Sequence, residues 1–139
     1  MKKVFYILLG FASIVMSSQS FAGGCPSISS IFQNPSHLDS WQAPWYQGMS
    51  EGAQRGEKVV SFTKACWFNY HPEISKTEGN VFCYYKLASG KELSFVQNNW
   101  DATVTKPTGS QWTKTQDEAC DYVCTSGLGN CGFKGYPPQ

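Results

Sequence analysis

The residues of this 139-residue chain with the clearest chemical potential are its six cysteines. In an oxidising compartment, an even set of cysteines in a short chain is typical of structural disulfides. We therefore expect three disulfides. A bridge between Cys66 and Cys83 across a hairpin is permitted, but either could equally reach Cys25 or the C-terminal group, so the connectivity stays open. The full set is Cys25, Cys66, Cys83, Cys120, Cys124 and Cys131.

A zinc site is the alternative use of these thiols, since Cys120, Cys124 and Cys131 stand close together in sequence. A structural zinc site usually takes four ligands in paired short spacings, and no fourth ligand lies nearby. Exported thiols are also oxidised readily. We expect disulfides rather than a metal, and the absence of a C-x-x-C pair argues against a redox centre.

Catalytic signals are weak. The histidines are His37 and His71, and the chain contains no G-x-S-x-G, H-E-x-x-H or P-loop motif. A hydrolase would need a fold that joins one histidine to a serine and a carboxylate from distant segments. The acidic residues fall in or beside turns or at one predicted helix start. The sequence therefore predicts no catalytic residue, no cofactor and a non-enzymatic protein.

Aromatic residues offer a different chemistry. Trp41, Trp45 and Tyr46 cluster in one short segment of a chain with five tryptophans. Exposed rings of this kind stack on sugar rings or anchor protein interfaces. Packing into the core is the simpler explanation, and a binding surface formed by these three residues is the alternative.

The start of the chain predicts the compartment. Lys2 and Lys3 precede an apolar run over residues 4–16, and Ser20 and Ala22 supply small side chains before a cleavage point. This pattern is typical of a secretory signal peptide over residues 1–22, and the apolar run is too short to span a bilayer. We expect a periplasmic or secreted single domain over residues 23–139 with no stable membrane insertion. Lipidation of Cys25 is the alternative, although it would leave an odd number of cysteines.

Charge limits the partners. The chain has eleven basic and ten acidic residues, and loss of Lys2 and Lys3 with the signal would leave nine basic residues and a net charge of −1. Because nucleic-acid affinity depends on neutralising phosphates, a domain with Arg55 as its only arginine is predicted to bind neither nucleic acid nor anionic lipid.

Alternating patterns place strands at 41–49, 59–70, 81–87 and 92–97. The capping-box pattern of residues 115–118 predicts a short helix, which we place at 116–125. The sequence thus predicts an α+β fold with a small antiparallel meander of three to four strands and a C-terminal helix, held by disulfides.

Side-chain alternation also predicts the faces of these strands. We expect Val81, Cys83, Tyr85 and Leu87 to share one face, and Leu93 and Phe95 to point inward. In the preceding strand, one face is predicted to carry Val60, Phe62, Cys66 and Phe68. Trp67 and Tyr84 are expected on the opposite face. Cys120 and Cys124 should share one face of the predicted helix.

The order of several features carries a resemblance. These features are Cys25-Pro26, the segment of Trp41, Trp45 and Gly48, the strand of Trp67, and the run GNVFCYY over 79–85. In this order the chain resembles small exported proteins of Legionella-like gammaproteobacteria, including EirA-like proteins associated with type IV secretion. The resemblance implies a factor that supports a secretion system or intracellular growth, and it carries no catalytic residue.

The leading prediction is therefore a periplasmic or secreted, non-enzymatic interaction protein with an unidentified protein partner. The alternative is a carbohydrate-binding module that uses Trp41, Trp45 and Tyr46 to hold a glycan.

Overall fold

The computed structural model describes residues 23–138. The predicted signal peptide lies outside the described residues, as does Gln139. The described chain forms an antiparallel sheet of nine strands. The strands are β1 (Phe32–Gln33), β2 (Ser40–Ala43), β3 (Tyr46–Met49), β4 (Val59–Phe68), β5 (Glu78–Leu87), β6 (Glu92–Gln97), β7 (Val104–Thr105), β8 (Trp112–Lys114) and β9 (Tyr122–Cys124).

The strands follow the order β1-β2-β3-β6-β5-β4-β9-β8, and β7 pairs with β5 beside this path. Helical structure in the described chain consists of two 3-10 turns, Ile28–Ser30 and Leu128–Asn130. The predicted meander is confirmed as the centre of the sheet, where β4 pairs with β5 and β5 pairs with β6. The prediction of an α+β fold is wrong, because the fold is an antiparallel β-sheet.

The helix predicted at 116–125 is replaced by a turn and strand β9. The Thr115 hydroxyl accepts from the backbone N–H of Asp117, and the Asp117 carboxylate accepts from that of Ala119. Thr and Asp side chains often bond locally in this way and so compete with helix formation. The aromatic and β-branched residues Tyr122 and Val123 then pair with β4, as their β-propensity favours. The capping-box residues thus form a turn that leads into a strand.

Two neighbouring rows of paired residues define the faces of the sheet. The inner row runs from β1 to β8, and all its members except Gln33 and Gly48 are buried. Gly48 lets the β3 backbone approach the Phe95 ring, since a Cβ at this position would lie 2.7 Å from it. The inner row is Gln33, Trp41, Gly48, Phe95, Cys83, Ala65, Cys124 and Trp112.

The outer row consists of the residues next to those of the inner row along each strand. Their side chains therefore point to the opposite face of the sheet. Its buried member is Cys66, which forms a disulfide; the other members are exposed or half-buried. Its members are Phe32, Gln42, Gln47, Val96, Phe82, Cys66, Val123 and Thr113. The sheet thus has a buried inner face and an outer face open to solvent.

The inner positions of β5 and β6 are confirmed, because Val81, Cys83, Tyr85, Leu87, Leu93 and Phe95 are each fully buried. The face predicted for β4 is partly wrong. Register shifts lie between Val59 and Ser61 and between Phe62 and Lys64, and a bulge of this kind reverses the side-chain alternation. Trp67 therefore points into the core with Cys83, whereas Phe68 points outward.

The terminal segments cover the inner face. Tyr46 donates to the carbonyl of Gly24, and Tyr85 donates to that of Pro26. From the other end of the chain, Tyr136 packs edge-on against Tyr46 with ring centroids 5.5 Å apart. The hydroxyl bonds satisfy polar groups that would otherwise be buried without partners, so the N-terminal and C-terminal segments are both fixed over the inner face.

The three expected disulfides are confirmed. Cys25 pairs with Cys83, Cys66 with Cys120, and Cys124 with Cys131. The permitted Cys66–Cys83 bridge is not formed, because these residues lie on opposite faces of the sheet. Cys120 and Cys124 likewise bond on opposite faces and do not share one face of a helix. The Cys25 sulfur is engaged by Cys83 and is not free to carry a lipid.

Candidate functional site

Four aromatic side chains gather on the outer face at one end of the sheet. We call them the outer aromatic cluster: Phe68, Tyr70, Phe82 and Trp100. Phe68 ends β4, Phe82 lies in β5, and the other two belong to the loops that follow β4 and β6. Because β5 lies between β4 and β6, the sheet brings rings from distant parts of the sequence together.

The rings of the cluster pack against one another at steep angles. The ring centroids of Phe68 and Tyr70 lie 4.3 Å apart, those of Tyr70 and Trp100 5.3 Å, and those of Phe82 and Trp100 5.8 Å. Edge-to-face pairs of this kind are stabilising beyond the area that they bury. Even so, Tyr70 is 45% and Trp100 43% exposed. The cluster is therefore ordered by its own contacts and still open to a partner.

Two buried amides fix the loop that carries Trp100. The Asn80 Nδ2 donates to the carbonyls of Trp100 (3.2 Å) and Ala102 (3.3 Å). The Gln97 Nε2 also donates to the carbonyl of Ala102, at 2.8 Å, and its Oε1 accepts from the backbone N–H of Val81. Buried amides with several partners hold backbone in place, so Trp100 has a defined position.

Charged groups lie along one side of the cluster on the outer face. The Lys64 ammonium stands 4.9 Å from the centroid of the Tyr84 ring, a cation–π arrangement. Burial raises the pKa of the Tyr84 hydroxyl, and the nearby Glu92 carboxylate raises it further. Lys86 pairs directly with Glu92 between β5 and β6. The apolar centre thus has a polar border.

Trp41, Trp45 and Tyr46, the three residues of the predicted binding surface, do not lie together on the surface of the structure. Trp41 and Tyr46 are 2% and 1% exposed and belong to the core. Trp45 is 53% exposed at the turn between β2 and β3. The predicted strand at 41–49 is therefore a hairpin, with Pro44 and Trp45 at its turn, and two of the three predicted rings are packing residues.

The backbone of Trp45 adopts a left-handed conformation, with φ of +71°. Bulky residues rarely adopt it, and glycine is preferred at such positions. The carbonyl of Trp45 accepts from the backbone N–H of Asn98 and from the hydroxyl of Tyr136. These bonds hold the turn in a conformation that its own residue disfavours.

Trp45 borders a shallow cleft of about 520 Å³, which we call the Trp45 cleft. The residues that line it include Phe32, whose ring is exposed, and the amide-bearing residues Gln42, Gln47 and Asn98. Within residues 23–138, none of these three amides makes a side-chain hydrogen bond to another residue. The full lining is Phe32, Ser40, Trp41, Gln42, Ala43, Pro44, Trp45, Tyr46, Gln47 and Asn98.

A family model described as "Protein of unknown function (DUF3757)" matches residues 17–134. The chain belongs to the DUF3757 family. The match includes every residue of the outer aromatic cluster and every residue that lines the Trp45 cleft. No curated protein and no solved structure matches the chain.

The histidines of this DUF3757 chain lie on exposed loops. The His71 Nδ1 is 3.2 Å from a carboxylate oxygen of Glu73, and this contact, together with a backbone hydrogen bond, lowers the pKa of Glu73. No hydrogen bond described over residues 23–138 joins the side chain of His37 or His71 to a serine. The structure therefore assembles no Ser–His–carboxylate set in this part of the chain.

Two further observations bear on the other predicted sites. Over residues 23–138, no three or more His, Cys, Asp or Glu side chains are grouped so that they could hold a metal ion. The sulfurs considered for zinc are all engaged in disulfides. In the same range, no helix is long and apolar enough to cross a membrane.

Sequence reasoning missed the outer aromatic cluster. It placed Phe68 on the face of Cys83, put Tyr70 at the end of a predicted strand and left Trp100 in a loop. Tyr70 lies just beyond β4, and Trp100 follows two asparagines after β6. The available signal was the repeated occurrence of aromatic residues where strands end, which could not reveal that these ends are neighbours.

Proposed function

We propose that this protein is an exported, non-enzymatic binding protein that engages a protein partner through the outer aromatic cluster. The observation that carries the proposal is the group of four mutually packed rings on an uncovered sheet face. Protein interfaces concentrate binding energy in such aromatic residues when a polar border surrounds them.

The cluster suits a protein better than a sugar. Two of its ring pairs meet edge to face and the third is tilted, so the rings form an uneven apolar surface rather than one flat platform. Two of its four members are phenylalanines, which offer no hydrogen bond. Lys64, Lys86 and Glu92, further along strands β4, β5 and β6, can select a partner by charge and orient it.

Three disulfides are consistent with an oxidising compartment. This observation supports the predicted periplasmic or secreted localisation, which otherwise depends on the signal peptide pattern. Support of a secretion system or of intracellular growth is a narrower prediction, and it depends on the sequence resemblance alone.

The test is partner capture by matched variants in the producing cells. Replacement of Tyr70→Ala and Trp100→Ala together should abolish crosslinking to the partner that the unaltered protein captures. Ile74→Ala is the control, because Ile74 is an equally apolar side chain that is 79% exposed outside the cluster. Retained capture by the double variant, with its disulfides and circular dichroism unchanged, would show that the cluster is not the binding surface.

A further inference from the structure

The geometry points to a second binding site: we infer that the Trp45 cleft binds an uncharged saccharide. The site is separate from the outer aromatic cluster and goes beyond the proposed protein partner. The two proposals depend on different residues and can fail independently.

The strained backbone of Trp45 points to a ligand at this turn. A left-handed backbone at a bulky residue costs about 1–3 kcal/mol, and such strain clusters at binding and active sites. Glycine would fit this turn without strain. A large ring that is 53% exposed gives the fold little packing in return. A tryptophan at this position is therefore explained better by a ligand than by stability.

The Trp45 ring stands apart from the other aromatic side chains of the described residues. Unlike the rings of the outer aromatic cluster, Trp45 has no aromatic stacking partner within residues 23–138. The exposed part of its ring borders the cleft, where a flat ligand can lie against it. The C–H groups on the apolar side of a sugar ring carry partial positive charge, which complements the negative face of the indole.

The amide side chains of the residues around the cleft match the hydrogen-bonding groups of a sugar. Each of Gln42, Gln47 and Asn98 offers both a donor and an acceptor. A sugar hydroxyl is also both donor and acceptor, so an amide can bond to it in either direction. A few polar groups beside an apolar surface are the usual composition of a small-molecule site.

The lining of the cleft favours an uncharged ligand. Among residues 23–138, no Lys, Arg, Asp, Glu or His lines the cleft, so no described side chain in it would compensate an ionic ligand. A proline-rich peptide also binds against tryptophan, but it presents mainly carbonyl acceptors and would leave the amide acceptors of the cleft unused. An uncharged saccharide uses both halves of each amide.

The experiment uses the mature protein with its disulfides intact. Binding is measured on an array of neutral hexose and N-acetylhexosamine oligosaccharides together with acidic oligosaccharides, and by titration with a proline-rich decapeptide. We expect neutral oligosaccharides to be retained. We expect Trp45→Gly and the double variant Gln47→Ala/Asn98→Ala to weaken this binding by about tenfold or more, the effect of losing one principal contact.

Ile74→Ala is the control, because it removes an exposed apolar side chain outside both the cleft and the outer aromatic cluster and should leave saccharide binding unchanged. Three results would overturn the inference: no neutral oligosaccharide is retained, Trp45→Gly binds as well as the unaltered protein, or the decapeptide alone binds at Trp45. None of them bears on protein capture by the outer aromatic cluster, which depends on Tyr70 and Trp100.

Discussion

The ring centroids of Tyr70 and Trp100 lie 5.3 Å apart on the outer face of the sheet, although the two residues follow different strands. Strand β5 separates those strands, and Phe82 of β5 completes the contact with Trp100. The proposed binding surface is therefore assembled by the strand order itself, and interactions that hold its loops should affect both stability and binding.

Asn80 provides the clearest test of that coupling. Its amide donates to the carbonyls of Trp100 and Ala102 while 8% exposed. Asn80→Ala should lower the free energy of unfolding by about 1 kcal/mol, because the part-buried carbonyl of Trp100 loses its side-chain donor while that of Ala102 keeps Gln97, and should also weaken partner capture. Urea denaturation measures the first effect. Asn98→Ala, at an exposed amide, should change stability by less than about 0.5 kcal/mol; equal effects of the two variants would refute this role of Asn80.

The turn at Trp45 predicts an unusual order of stabilities. Replacement by Gly or by Ala removes the same ring, but only glycine fits a φ of +71° without strain. Trp45→Gly should therefore be more stable than Trp45→Ala by about 1 kcal/mol. At an ordinary exposed position the order would be reversed or absent, and that result in urea denaturation would show that the turn is not left-handed in solution.

The disulfides should differ in their contributions. Cys25–Cys83 joins residues 58 apart, whereas Cys124–Cys131 joins residues only seven apart. On the chain-entropy account, the long loop contributes about 4 kcal/mol and the short one about 2 kcal/mol. Cys25→Ala/Cys83→Ala should accordingly lower the thermal midpoint more than Cys124→Ala/Cys131→Ala. A larger loss from the short bridge would mean that native-state packing, rather than loop length, sets the order.

Alkaline pH should destabilise the fold. Burial raises the pKa of the Tyr46 and Tyr85 hydroxyls above their ordinary value of 10.0. The contribution of these two protonated hydroxyls to the free energy of unfolding is therefore fully present below pH 10. Above it the unfolded chain releases these protons and the folded chain keeps them, so the free energy of unfolding falls by up to about 1.4 kcal/mol per pH unit for each tyrosine.

Urea unfolding at a series of pH values from 8 to about 11 measures this slope. Tyr46→Phe removes one of the two groups, so its stability should fall less steeply with pH than that of the unaltered protein. A stability that is flat across this range, or a variant with the same slope as the unaltered protein, would contradict the burial of the hydroxyls.

The sequence predicted the centre of the fold because the signals there are local. In β5, Val81, Cys83, Tyr85 and Leu87 alternate without interruption, and the structure buries all four. The same reasoning failed in β4, because the bulge before Lys64 reverses the alternation and turns Trp67 inward. No residue type in that segment marks the bulge, since it arises from pairing with β5.

The helix predicted in the C-terminal region was wrong for a different reason. Residues 115–118 satisfy the local rule for a helix start, but Asp121 donates its backbone N–H to the carbonyl of Trp67, and Cys120 bonds to Cys66. Tertiary pairing therefore overrides the local signal. The candidate site was hidden for the same reason, because Tyr70, Phe82 and Trp100 become neighbours only through strand order.

Photo-crosslinking from position 70 tests the central proposal most directly. A photoreactive phenylalanine analogue replaces Tyr70 in the outer aromatic cluster, and a control chain carries it at Thr113, an exposed outer-row residue on β8. The account predicts one discrete adduct with a different protein from position 70, which Trp100→Ala suppresses and position 113 does not give. The same adducts from both positions, an adduct of two copies of this chain, or no adduct from position 70 would contradict it.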